Sequence, residues 1–186
     1  MTTPPAESPT GQAATDTPIV VIGLMGSGKT TVATLIAERL HRTLRDSDPD
    51  MEARYGMTAA ETVERMGAEV LHKREFEHLR ESLTDDPPSV IAAAASTMDS
   101  PDTPALLGPV LVIWLDAPDA VLAERMLSGR HRPHFEADLR AMLAKQRAGR
   151  GPMMARVADL TFDVAESRPE EVAAGVFRAL EALEAF

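Results

Sequence analysis

Eight consecutive residues near the start of the chain have the types and spacing that bind the phosphates of a nucleotide. They run Gly23-Leu24-Met25-Gly26-Ser27-Gly28-Lys29-Thr30 and fit the pattern G-x-x-x-x-G-K-[ST]. The glycines permit a tight turn in which successive backbone N–H groups point into one concavity that suits phosphate oxygens. Lys29 adds a positive charge within reach of the β- and γ-phosphates, and the Thr30 hydroxyl is a hard oxygen ligand suited to Mg²⁺.

The segments on either side of this loop have the character that the motif requires. Residues 18–22 form a short β-branched run, which predicts a buried strand. After the loop, apolar residues at helical spacing predict a helix whose first N–H groups and dipole add to the phosphate site. These residues are Val32, Leu35, Ile36 and Leu40. The alternative is a glycine turn that joins strand to helix and binds nothing.

Two carboxylates, Asp46 and Asp48, follow a short strand predicted over residues 43–45. The carboxyl ends of strands in open α/β sheets face the ligand crevice. One carboxylate could therefore bind a metal ion and the other could act as a base. A solvated acidic turn is the alternative, since Asp-Ser-Asp-Pro is also ordinary turn chemistry. The residues alone leave both interpretations open.

A basic cluster occupies residues 125–134 of a chain whose formal net charge is −10. Its members are Arg125, Arg130, His131, Arg132 and His134. A flexible lid that carries arginines onto phosphates would account for the cluster. The alternative is a solvated basic loop.

The remaining sequence predicts the elements that must position these groups. Apolar runs predict further strands at residues 89–93, 110–115 and 160–164, and helical patterns cover residues 51–83, a segment ending near 127, residues 136–148 and residues 169–186. Gly67 should end or bend a helix, and Arg150-Gly151-Pro152 should interrupt another. Most of the charged face of the helix at 68–83, which consists of Lys73, Arg74, Glu75, Glu77, Arg80 and Glu81, should be solvated. Alternating strands and helices predict an α/β fold, a parallel sheet with helices on both faces and right-handed crossovers.

Composition limits the class of protein and of partner. The 186 residues are 44% hydrophobic and 26% charged, as in one soluble globular domain. The net charge of −10 argues against nucleic acid or an anionic membrane as partner, and without cysteine no disulfide or zinc–thiolate site can form. Residues 1–17 predict a disordered tail ahead of a domain at 18–186. We expect a cytoplasmic monomer without a secretory signal or membrane span.

From residue 18 to its C-terminus, the chain resembles the shikimate kinase family of P-loop small-metabolite kinases. The order and spacing of the later motifs carry the resemblance: Asp46-Ser47-Asp48, Met51-Glu52, Gly56, Gly67, Glu75, Arg132-Pro133, Arg150-Gly151-Pro152 and Val157-Ala158-Asp159. The resemblance implies strand order 2-3-1-4-5 and a lid at about 128–137. It also implies transfer of the γ-phosphoryl group of ATP to a hydroxyl of a small polar acceptor, in aromatic amino acid biosynthesis if that acceptor is shikimate.

The resemblance further implies a role for each residue that matches a family motif. Lys29 would hold the phosphates, and Thr30 would bind Mg²⁺ with the support of Asp46. Asp48 would be the base for the acceptor hydroxyl, and Arg132 would close over the phosphates. The residues implied to contact ATP are Gly26, Ser27, Gly28, Lys29, Thr30, Thr31, Arg125 and Pro169.

The acceptor side departs from the family pattern at several positions. The family arginine that grips the acceptor carboxylate is replaced by His72, which could equally be a helix-surface histidine. Three family glycines are replaced by Ala94-Ala95-Ser96, whose β-carbons would intrude on the acceptor, and a tyrosine by Met154. Arg150 retains its place and would hold a carboxylate by a bidentate pair. The implied acceptor-binding residues are Asp48, His72, Ala94, Ala95, Ser96 and Arg150.

Three functions remain open on this sequence. The first is a kinase for a small hydroxylated metabolite: shikimate, a related acid or a polyol. The second is a nucleotide-binding protein whose acceptor site has decayed or been re-specialised, because His72 and Ala94-Ala95-Ser96 alter that site. The third is a nucleoside monophosphate kinase, in which Asp48 would have no use as a base because the acceptor is a phosphate.

Overall fold

A parallel sheet forms the centre of the molecule. The structure, a computed structural model, describes residues 17–128 and 138–184. Within them, five strands lie in the order β2-β3-β1-β4-β5, which confirms the predicted fold. The strands are β1 Ile19–Ile22, β2 Leu44–Asp46, β3 Val90–Ala92, β4 Leu111–Asp116 and β5 Leu160–Asp163. Residues 1–16 of the tail predicted at 1–17, and most of the predicted lid, including Arg132, lie outside the described residues.

Helices cover the sheet and connect its strands. They are α1 Lys29–Leu40, α2 Ser47–Tyr55, α3 Ala59–Met66, α4 Ala68–Ser82, a 3₁₀ helix Ala95–Asp99, α5 Thr103–Leu107, α6 Asp119–Ser128, α7 Leu139–Val157 and α8 Pro169–Glu184. All four residues of β1 are buried. Because successive side chains of a strand point to opposite faces, both faces of the sheet are covered. Among the described residues, no helix is long and apolar enough to cross a membrane.

The segment predicted as helical over residues 51–83 consists of three helices. Helix α2 begins earlier than predicted, at Ser47, because the Asp46 side chain accepts a hydrogen bond from the Asp48 N–H and caps its first turn. Thr58 and Glu61 form the capping box of α3. Gly67, at φ 89°, separates α3 from α4 as predicted. Asp48 therefore lies within the first turn of a helix rather than in a loop.

The predicted interruption of α7 at Arg150-Gly151-Pro152 is wrong, because α7 runs unbroken through Pro152. A proline inside a helix costs about 3 kcal/mol through its missing donor and its ring. Packing on both sides of the proline offsets this cost, since Leu143 and Met154 are both fully buried. The Arg147 guanidinium also anchors α7, because it donates hydrogen bonds of 2.7 Å to the carboxylates of Asp116 and Asp119.

Candidate active site

The loop between β1 and α1 has the backbone that the motif predicts. Gly26 and Gly28 lie at φ 80° and 88°, in the left-handed region that favours glycine. The Lys29 ammonium donates to the Leu24 carbonyl at 3.1 Å, so its charge lies over the loop. Helix α1 begins at Lys29 without a capping side chain. Its first N–H groups can therefore take an anion as partner.

Gly26 is required by a close approach as well as by its φ. A β-carbon at Gly26 would lie 2.7 Å from the carbonyl oxygen of Leu122 in α6, whereas one at Gly28 would have nothing within 4 Å. We expect Gly28→Ala to lower the free energy of unfolding by about 1 kcal/mol, from its left-handed φ alone. Gly26→Ala should lower it by about 2 kcal/mol, because the loop must also move away from α6. Urea unfolding of the two variants measures this difference, and equal losses would contradict it.

A hydrogen bond joins the loop to the end of β2. The Thr30 hydroxyl donates to Oδ2 of Asp46 at 2.6 Å, which brings two hard oxygen atoms together beside the phosphate loop. Mg²⁺ is commonly bound in proteins by one or two such groups together with substrate phosphates and water. Among the described residues, no group of three or more histidine, cysteine, aspartate or glutamate side chains could hold a metal ion alone. The donor set fits a nucleotide-bound Mg²⁺ ion.

The Asp46 carboxyl is buried, and its ionisation depends on its neighbours. Burial raises its pKa, and the charge of Asp48 raises it further. The Thr30 hydroxyl, the Asp48 N–H and the charge of Lys29 act in the opposite direction. A cation beside Asp46 would favour the ionised form that binds metals.

Asp48 lies two residues after Asp46 at the same sheet edge, and it is exposed. An acceptor hydroxyl in the crevice could reach a carboxylate in this position. The Asp48 N–H donates a hydrogen bond to Oδ1 of Asp46 at 3.3 Å. This helix cap therefore joins Asp48, the predicted base, to Asp46, the predicted metal-supporting carboxylate.

A cavity of about 210 Å³ continues from the phosphate loop between α6 and α8. It brings together residues predicted to contact ATP, and its lining is Gly26, Ser27, Gly28, Val32, Arg125, Val164, Ser167, Pro169 and Val172. The Arg125 guanidinium donates to the carbonyls of Val164 and Ala165, which ties α6 to the segment before α8. Thr31 lies apart from this lining, exposed in the first turn of α1.

An unsatisfied polar atom in this region tests whether a nucleotide fits. The Ser27 hydroxyl is buried and has no hydrogen-bond partner among the described residues. Buried hydroxyls in proteins nearly always have a partner. A phosphate oxygen in the loop would provide one. The positive φ of Gly26, the charge of Lys29 and this hydroxyl all fit a bound polyphosphate.

On the acceptor side, Glu75 of α4 is buried, so it is an exception to the charged face of this helix that was predicted to be mostly solvated. Its carboxyl group accepts a hydrogen bond from the Ser96 hydroxyl. Burial raises the pKa of Glu75 to about 7, and the charge of Asp48 adds to the shift. Ser96, Arg150 and Lys29 oppose the shift. The sequence contained a sign of this burial, because Glu75 is four residues from both Leu71 and Leu79 and shares their buried face.

The segment that replaces the family glycines adopts a conformation open to any residue. Ala94 has φ −64° and ψ 142°, and the 3₁₀ helix begins at Ala95. The Thr97 hydroxyl donates to the Ala94 carbonyl at 2.6 Å and fixes the turn. The side chain of Ser96 is buried and contacts Glu75, so a hydroxymethyl group fills space that glycine would leave open.

Arg150 of α7 forms a bidentate pair with Asp99, the last residue of the 3₁₀ helix. Its Nε and Nη2 atoms donate to the two Asp99 carboxylate oxygens at 2.8 and 2.7 Å. His72 faces the same carboxylate, with Nδ1 3.9 Å from Oδ2. Burial and the charge of Arg150 lower the pKa of His72, although Asp99 opposes them, and this favours the neutral imidazole. The pair with Asp99 could not be predicted from the sequence, because its partners are 51 positions apart.

Comparisons with known proteins agree on one family. A family model described as shikimate kinase matches residues 25–181. The shikimate kinase of Symbiobacterium thermophilum is 32% identical over 170 residues, which cover 88% of this chain and 95% of the relative. That of Thermobifida fusca is 33% identical over 163 residues, with coverages of 88% and 94%.

Solved structures show the same fold. The shikimate kinase from Acinetobacter baumannii in complex with shikimate has a TM-score of 0.83 at 24% identity, covering 94% of this chain and 98% of that one. The shikimate kinase from Aquifex aeolicus has a TM-score of 0.72 at 25% identity, with coverages of 89% and 96%.

Proposed function

This chain belongs to the shikimate kinase family, and from that premise we propose which of its residues carry out the reaction of an ATP-dependent kinase. The reaction proposed is transfer of the γ-phosphoryl group of ATP to a hydroxyl of a small polar metabolite. The observation that carries the proposal is the 2.6 Å bond from Thr30 to Asp46. It supports the proposal because it joins the two groups proposed to hold Mg²⁺, next to Asp48, at the edge of the sheet where the phosphate loop opens.

The nucleotide side is assigned to the loop and its surroundings. Lys29 and the N–H groups at the start of α1 would hold the phosphates, with the Ser27 hydroxyl as a further donor. Thr30 and Asp46 would hold Mg²⁺. Bound ATP and Mg²⁺ would supply the phosphoryl group and offset the charge on its oxygens. The remaining nucleotide contacts are proposed for Gly26, Gly28, Thr31, Arg125 and Pro169.

On the acceptor side, the proposed general base is Asp48. Its carboxylate would accept a hydrogen bond from the attacking hydroxyl and take the proton as the new P–O bond forms. His72, Ala94, Ala95 and Ser96 would shape the wall against which the acceptor lies, with Arg150 behind them. Arg132, which lies outside the described residues, is proposed to bring positive charge to the phosphates during transfer.

Release of ADP tests this function directly. We expect the purified protein with ATP and Mg²⁺ to release ADP faster when a small hydroxylated acceptor is added, and this acceleration should disappear when EDTA removes the metal. The panel should contain shikimate, its methyl ester and uncharged cyclitols such as myo-inositol. Detectable ATP binding without acceptor-dependent ADP release from any panel member would contradict the proposal and favour a nucleotide-binding protein with a decayed acceptor site.

Nucleoside monophosphate kinase activity is the other alternative. Such an enzyme would release ADP with a nucleoside monophosphate as acceptor, and Asp48 would have no proton to take. Adding AMP, CMP, GMP and UMP to the same panel separates the two activities.

A further inference from the structure

Within this proposed function, we propose that Asp99 selects the acceptor by occupying the carboxylate-binding fork of Arg150. The site then takes an uncharged polyol rather than a carboxylic acid. The family resemblance implies that Arg150 binds the carboxylate of a substrate. In this protein the carboxylate of Asp99 takes that place.

The geometry of the pair is that of arginine with a carboxylate ligand. Two guanidinium nitrogens, Nε and Nη2, each bind a different oxygen of Asp99, at 2.8 and 2.7 Å. This is the two-bond arrangement by which arginine recognises planar carboxylates. The Arg150 side chain is only 13% exposed, whereas that of Asp99 is 44% exposed. An incoming acceptor therefore meets the oxygens of Asp99 before it meets the guanidinium.

The second cationic contact of the family pattern is also missing. His72 replaces an arginine, and burial and Arg150 lower its pKa, which favours the neutral imidazole. It lies 3.9 Å from the same Asp99 oxygen, which is beyond hydrogen-bond distance. Neither position thus offers an unshared positive charge to a substrate carboxylate.

The charges around the acceptor wall also favour an uncharged acceptor. Asp48 and Asp99 present exposed carboxylates, and Glu75 lies buried behind Ser96. Among the described residues, two cations act on the Glu75 carboxyl: Lys29, which lies over the phosphate loop, and Arg150, which is paired with Asp99. An anionic acceptor would be repelled by these carboxylates, whereas the hydroxyl groups of a polyol can donate hydrogen bonds to them.

Binding of a charged and an uncharged version of one ligand tests the proposal. Shikimate and its methyl ester share a ring and its hydroxyls and differ in the carboxylate charge. We expect calorimetry in the presence of Mg²⁺ and ADP to give the wild type an affinity for the ester at least equal to that for shikimate. In Asp99→Asn the fork of Arg150 loses its anionic partner, so shikimate should bind at least tenfold more tightly than to wild type. The affinity for the ester should change by less than threefold.

The matched control is Asp102→Asn, which removes the same charge from an exposed position three residues away. It should leave both affinities unchanged. A second variant, Asp99→Thr, guards against a specific effect of asparagine and should also tighten shikimate binding. Thermal unfolding of each variant shows whether the fold is retained.

Two results would overturn the inference. One is a wild type that binds shikimate more than tenfold more tightly than its ester. The other is failure of both folded Asp99 variants to tighten shikimate binding. If the binding shift occurs but no acceptor stimulates ADP release, the proposed kinase function fails while the assignment of Asp99 stands.

Discussion

Asp48→Asn is expected to lower kcat by roughly 10²- to 10⁴-fold with the best acceptor of the panel, because asparagine cannot take the proton of the attacking hydroxyl. The affinity for ATP should change by less than about threefold, since Asp48 is assigned to the acceptor side. Steady-state kinetics give the first quantity, and binding of a fluorescent ATP analogue gives the second.

The control for this variant is Glu64→Gln, an equal loss of charge at an exposed position of α3. It should leave kcat and ATP binding at wild-type values. Acceptor-dependent turnover that survives Asp48→Asn within threefold would mean that another group takes the proton or that none is needed. That result would also remove the main argument against phosphoryl transfer to a nucleotide phosphate.

Glu75→Gln is expected to make the protein more resistant to unfolding at high pH. In the wild type, burial raises the pKa of Glu75 from 4.5 to about 7. The folded state therefore holds this proton more tightly than the unfolded state. The contribution to stability is complete below pH 4.5, declines as the pH rises towards 7 and is lost above it. Because glutamine stays neutral, the stability of the variant relative to wild type should increase by roughly 2–3 kcal/mol between pH 5 and pH 8.

Urea unfolding at pH 5 and pH 8 measures this effect. Only the difference between variant and wild type is informative, because other groups titrate in both proteins. Glu69→Gln is the control, since Glu69 is an exposed carboxyl on the same helix. It should change the stability by less than about 0.5 kcal/mol at either pH. A Glu75→Gln difference that is the same at both pH values would show that the Glu75 carboxyl is not held protonated by the fold.

The nucleotide side of the site could be predicted because its chemistry is local in the sequence. The loop geometry depends on Gly26 and Gly28, and a contiguous motif specifies both. The carboxylates of Asp46 and Asp48 follow a strand whose position in the sheet the alternation of elements predicts. The hydrogen bond between Thr30 and Asp46 spans only 16 positions and follows from placing β1 and β2 in one parallel sheet.

The acceptor side was less predictable because its contacts join distant segments. The bond between Ser96 and Glu75 spans 21 positions, and the pair of Arg150 with Asp99 spans 51. Nothing in either local pattern reveals such a partner. The continuity of α7 could not be predicted for a related reason. The helix-breaking effect of proline can be read from the local sequence, whereas the packing that overrides it is tertiary.

The unbroken course of α7 has a genetic consequence. Arg147, bound to Asp116 and Asp119, holds the helix one turn before Arg150 through contacts that do not involve Asp99. Aspartate and asparagine codons differ by one base. If Asp99 has the proposed role, a single base change at codon 99 would alter acceptor preference without touching the nucleotide loop. A duplicated copy of such a gene could then acquire a new metabolic substrate in one mutational step.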